Sequence, residues 1–168
     1  SDNDTEVSGM AVMRSGKLAG FLPSKSVEMY NICINAYQPS YYHIPSDAVE
    51  GEHVVLKMHQ KKAPKKEVHI EGGVPHITLT VSMRAQLIKC PQEEYGQKDI
   101  DGFNRMAEES LKRDLEGFLA QTVACQSDVV GFGRYAKIRF PDYAAWEAYD
   151  WPSHYKDAVF TVNTHVNI

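Results

Sequence analysis

The side chains best able to hold a metal ion or attack a substrate are the chain's seven histidines and three cysteines. Their spacing argues against both uses. His53 and His59 share a face of a strand-like run, but about 20 Å of extended chain separates them. His69 and His76 flank Gly72-Gly73 and are placed to pair across a turn. No Asp or Cys is spaced to complete a tetrahedral site, so surface strand histidines are expected, with no metal and no cofactor. Cys33, Cys90 and Cys125 form an odd, widely spaced set without a CxxC, which is neither a disulfide framework nor a zinc site. Cys33 and Cys125 fall in amphipathic runs and read as small buried hydrophobes. The nucleophile elbow Gly-x-Ser-x-Gly is absent. Asp99 and Asp101 open a helical run, where capping and the helix dipole account for them without acid–base chemistry. No catalytic residue is assigned.

Two further groups stand out. Asp128-Val-Val-Gly-Phe-Gly-Arg134 carries paired glycines but lacks the third glycine of a dinucleotide fingerprint and follows a helix rather than a strand. Close packing is the expected role, with Asp128 as a helix cap. Lys61, Lys62, Lys65 and Lys66 surround Pro64 and form the one basic cluster. They solubilise a loop and blunt a strand edge, or they meet a partner or anionic lipid headgroups, where each adds about 1 kcal/mol.

The elements that position these residues follow from periodicity. Ser8–Arg14 and Lys17–Leu22 around Ser15-Gly16 predict a hairpin. A helix is expected from about Lys25 to Asn35, capped by Ser24 or Ser26, with Val27, Tyr30, Cys33 and Ile34 on its buried face. Tyr37–Ile44 is an edge strand or irregular. Glu52–Gln60 reads as a strand, 61–66 as a charged turn or bulge, and Glu67–Glu71 as its resumption before the Gly72-Gly73 turn. His76–Ile88 alternates apolar and polar residues, so one face is buried and the other wet. From Asp99 to about Cys125, Phe103, Ala107, Leu111, Leu115, Phe118 and Leu119 recur at three and four residues. This is a long amphipathic helix with Glu108, Glu109, Lys112, Arg113 and Glu116 on the solvent side. Shorter helices follow from Asp128 to about Ile138 and from Asp142 to Tyr149, ending near Pro152. Trp146 and Trp151 are expected to be buried. Ala158–Ile168 is the last strand. The class is α+β: an antiparallel sheet with the long helix and shorter helices packed on one face.

Composition sets outer bounds. One domain, residues 7–168, is expected after a disordered tail or linker remnant at 1–6. The content is 43% hydrophobic and 24% charged, ordinary for a soluble globular protein. A net charge of −4 supplies no global field for nucleic acid. No apolar run is long enough to span a bilayer. The opening Ser1 in place of Met points to a trimmed chain, with any targeting or lipidation signal outside it.

The order of these pieces resembles the C-terminal domain of the Ger(x)C family, the C subunits of spore-germination nutrient receptors. The elements that carry the resemblance are Gly9–Arg14, Lys17–Leu22, Val54–Lys57, Pro75–Val81, the long helix, the Asp-x-x-Gly-Phe-Gly turn at 128–133, Pro141 with Trp146 and Trp151, and the strand Val159–Val166. The ordered set carries it rather than any single motif. The resemblance implies a non-enzymatic domain of a lipoprotein, lipid-anchored to the outer face of the spore inner membrane and acting with the A and B membrane subunits. The anchor would lie outside this fragment. The matched positions Gly9, Gly131, Gly133, Pro141 and Trp146 would be architectural. The alternative is a small-molecule module that binds the nutrient itself; an enzyme ranks last.

Overall fold

The computed structural model describes residues 9–45, 52–91 and 94–168. The tail expected at 1–6 lies outside the described residues. The chain opens with a hairpin of β1 (Gly9–Arg14) and β2 (Lys17–Pro23), followed by α1 (Ser24–Cys33). Then come β3 (Ser40–Pro45), β4 (His53–Gln60), β5 (Lys65–Glu71) and β6 (Val74–Lys89). The long helix α2 (Gln97–Ala124) precedes α3 (Gly133–Lys137), α4 (Tyr143–Tyr149) and α5 (Trp151–His154). A 3-10 turn, Tyr155–Asp157, leads into β7 (Val159–Asn167).

The first hairpin is a two-stranded sheet of its own. The other five strands form the main sheet around β6. β4 and β5 both run antiparallel to β6 and act as one long interrupted strand. Gln60 pairs with Met83 and Lys65 with Thr80, so four residues, 61–64, stand opposite two, 81–82. The charged segment is therefore a bulge, anchored where Lys61 N–H donates to Ser82 O at 3.0 Å. Gly72 and Gly73 close the β5–β6 hairpin with both φ angles positive, a two-residue turn that residues with a Cβ rarely adopt. β3 settles as an edge strand on β4.

β7 departs from the antiparallel pattern: it runs parallel to β6 along His76–Arg84. The cause is α2. Its 28 residues span about 42 Å and carry the chain back along β6, so the closing strand sets out in the direction β6 took.

Alternation decides the two faces. Ile77, Leu79, Val81 and Met83 of β6, with Val68, Leu56, Met58, Val162 and Val166 of its neighbours, are buried. They meet Phe103, Ala107, Leu111, Leu115, Phe118 and Leu119 of α2, the seam expected from the sequence. The other face carries Thr78, Thr80, Arg84 and Gln86 toward water.

The smaller helices differ from expectation in detail. α1 buries Ser26, Met29, Ile32 and Cys33, not Val27 and Ile34, and Pro23 rather than a serine stands at its N-cap. Ser26 instead faces α2 and donates to Gln121 Oε1 at 2.8 Å. Glu108 is not on the solvent side. Its Oε1 accepts from Val166 N–H at 2.9 Å, and its carbonyl accepts from Thr164 Oγ1. With Asn104, which accepts from Ile168 N–H, it satisfies the free edge of β7, whose donors would otherwise be open to strand pairing. α4 ends at Tyr149, near Pro152 as expected, and a new short helix begins at once with this proline inside it. The proline sits in the first turn of α5, a position that needs no N–H.

Candidate functional site

Asp128 is the centre of the Gly-Phe-Gly turn. Its Oδ1 accepts from the N–H groups of Gly131 and Phe132, both at 2.9 Å, and its Oδ2 from Gly133 N–H at 2.7 Å. Oδ2 also accepts from Trp151 Nε1 at 3.0 Å. One carboxylate thus satisfies the donors that open α3 and pins an indole from α5. Gly131 has φ +81°. A Cβ on Gly133 would lie 2.8 Å from Trp151 Nε1, so only glycine lets the indole seat. Gly9 is constrained in the same way, since a Cβ there would lie 2.3 Å from Leu22 O. These positions hold the fold together; their polar groups are used up by each other.

Around Trp151 runs a chain of rings. Trp146 stacks on Trp151 at 6.0 Å between centroids, and Phe140 packs on Trp146 and Tyr149. Tyr155 is fully buried, its hydroxyl 2.8 Å from Thr122 Oγ1, and burial pushes that phenol well above its ordinary range. Trp151 is buried as expected, whereas Trp146 remains half-exposed at the rim. Tyr149 donates to Gly73 O at 2.8 Å and so ties α4 to the β5–β6 turn.

The four lysines do not act as one cluster. Lys61, Lys62 and Lys65 are exposed, and Lys65 pairs with Glu67 at 3.1 Å. Lys66 is opposite Leu79 and shares the helix-covered face with Val68. It lies half-buried with its Nζ 5.7 Å from the Tyr135 ring centroid. Desolvation lowers its pKa, and the nearby Arg134 adds to the effect.

His69 and His76 pair directly across the β5–β6 ladder. His53 lies edge-on to His43 on β3. Among the described residues, no three His, Cys, Asp or Glu side chains gather closely enough to hold a metal ion. Cys33 is fully buried; Cys90 and Cys125 are half-buried, and all three are free thiols.

Two exposed features escaped the sequence reading. The outward face of the first hairpin carries Phe21, 74% exposed, and the paired Met13 and Leu18, each 54% exposed. The signal was present: Leu18, Ala19, Phe21 and Leu22 leave neither face of β2 polar. Beyond α3, Ile138 is 78% exposed. A third feature is a cleft of about 270 Å³ beside α1 and β3, where Tyr37 and Ser40 hydroxyls donate to Glu28 Oε1.

No helix among the described residues is long and apolar enough to cross a membrane. The family described as "Spore germination B3/GerAC like, C-terminal" matches residues 8–168. A crystal structure of the GerBC protein shares the fold, with a TM-score of 0.76 at 20% identity. The match covers 95% of this chain and 50% of that one, so this chain spans half the length of that protein. No curated protein sequence matches. The expected resemblance holds: the chain belongs to the spore germination B3/GerAC-like family and carries its C-terminal domain.

Proposed function

We propose that this is a non-enzymatic domain of a germinant-receptor C subunit, acting in spore germination by contact with the A and B membrane subunits. Family membership supports the receptor role. The observation that carries the contact is the outward hairpin face. Met13, Leu18 and Phe21 are large, apolar, mutually close and exposed. A two-stranded sheet gains nothing from such a face in water, and contiguous apolar surface of this kind marks association sites. The functional groups elsewhere point the same way, since Asp128, the most heavily bonded carboxylate among the described residues, is held by four donors of its own chain. In this reading the full-length protein is lipid-anchored to the outer face of the spore inner membrane. Lys61, Lys62 and Lys65 then face a partner or lipid headgroups, with Lys66 supporting the bulge from within.

The test is titration of the chain against purified A and B subunits in detergent. Binding is expected, weakened at least tenfold by Phe21→Ser with the fold retained. Absence of binding to either subunit would contradict the reading.

A second reading, direct nutrient binding, is favoured by the Glu28 cleft, whose carboxylate and hydroxyls suit an amine or a polyol. Its volume is below the usual range of ligand sites, about 300–1,000 Å³, which ranks it second. A saturable rise in melting temperature with amino acids or sugars, abolished by Glu28→Ala, would establish it.

A further inference from the structure

We propose that the end of α3 and the turn after it form a docking surface for an anionic lipid bilayer. Arg134, Lys137 and Ile138 fall at i, i+3 and i+4 and so share one side of α3. All three are exposed, and so is Arg139. Ile138, the most exposed large apolar residue described, has cations on both sides in sequence. Tyr143 is also exposed, and Lys137 Nζ lies 4.9 Å from its ring centroid, so ammonium and phenol are presented together.

The nearby carboxylates offset this charge only in part, since Arg134, Lys137 and Arg139 stand against Asp142 and Glu147. Between Arg134 and Tyr143 the one acid is Asp142, which is turned onto Ala145 N–H at 2.8 Å as the cap of α4. Glu147 lies beside the Tyr143 hydroxyl. α3 packs against β5, whose half-buried Lys66 lies over the ring of Tyr135. The chain as a whole carries −4, so this local excess of positive charge runs against its average.

The layering selects a bilayer. An aliphatic side chain projecting between cations, with a tyrosine at the boundary, matches acyl chains below phosphates. The cations remain at headgroup level while Ile138 passes below them. An acidic protein would satisfy the cations but offers no reason for Ile138 to stand out in water. The proposal rests on the functional reading above only in having a membrane within reach; the patch itself is argued from exposure and charge.

The test is co-sedimentation of the chain with vesicles of phosphatidylcholine, with and without phosphatidylglycerol. Binding is expected to the anionic vesicles only, falling as salt is added. Lys137→Ala with Arg139→Ala is expected to lower partitioning about thirtyfold, from two basic contacts removed. Ile138→Ser is expected to lower it several-fold while leaving the salt dependence unchanged. All these side chains are exposed, so the melting temperature should not move, and thermal melts check this. No binding to anionic vesicles, or equal binding by the double variant, would overturn the proposal. Binding to soluble heparin as tight as to vesicles and indifferent to Ile138→Ser would assign the patch to an acidic macromolecule and overturn it too. Phe21→Ser should leave vesicle binding unchanged, so failure here and failure of the subunit contact are read separately.

Discussion

Trp151 Nε1 donates to Asp128 Oδ2 across 3.0 Å, and the same indole nitrogen occupies the space that a Cβ on Gly133 would need. The turn, the α3 start and α5 therefore stand or fall together. Asp128→Ala removes the acceptor for four donors and is expected to cost about 3 kcal/mol. Gly133→Ala is expected to cost about 1–3 kcal/mol by overpacking. Combined with Trp151→Leu, Gly133→Ala should cost far less than it does alone, because the clashing atoms are gone. Urea unfolding of the single and double variants measures this coupling.

The α2 seam should be the most sensitive part of the core. Leu111 is fully buried against the sheet. Leu111→Ala is expected to destabilise by about 2–5 kcal/mol, and Leu111→Asp to leave the chain unfolded by circular dichroism. Lys112→Ala, one residue along and exposed, should be nearly silent.

Alkaline pH should weaken the fold early. Burial pushes the Cys33 thiol from 9.0 up to about 12, the nearby Lys66 only partly opposing it. Burial also raises Tyr37, Tyr42 and Tyr155 above 10.0. In the unfolded chain these groups lose protons at their ordinary values, while the folded chain holds them. Stability is thus fully present below about pH 9 and declines as pH rises from there toward about 12. Urea midpoints at neutral pH and near about pH 11 check the direction, and Cys33→Ala should flatten the decline.

Lys66 separates from its neighbours in a testable way. Its ammonium is partly desolvated over Tyr135, so Lys66→Met keeps the stem and removes a strained charge. The melting temperature is expected to hold or rise slightly. Lys61→Ala, Lys62→Ala and Lys65→Ala together should leave it unchanged, since all three side chains are in water.

The long helix and β6 were legible because one burial pattern repeats over many residues: Phe103 to Leu119 at helical spacing, Ile77 to Met83 at a period of two. Asp128 and the glycines announced a packed turn, and the structure supplied the indole that explains them. Other features needed the tertiary fold. α1 is ten residues long and apolar on more than one side; contact with Gln121 of α2 chose the Ser26–Met29 face. The parallel direction of β7 depends on where α2 delivers the chain, which no local pattern records. Lys66 turns inward because a four-for-two bulge resumes the ladder at Lys65, a register invisible in a run of lysines. The exposure of Phe21 and Ile138 was hidden for the same reason, as periodicity shows which residues are apolar but not which faces stay uncovered.

The proposed contact is with the receptor's membrane subunits. Its most direct test is recovery of partners from detergent-solubilised spore inner membranes, with the folded chain as bait and its Phe21→Ser variant as control. The A or B subunit is expected to be retained by the chain and lost with the variant. Recovery of neither subunit by a demonstrably folded chain would contradict it.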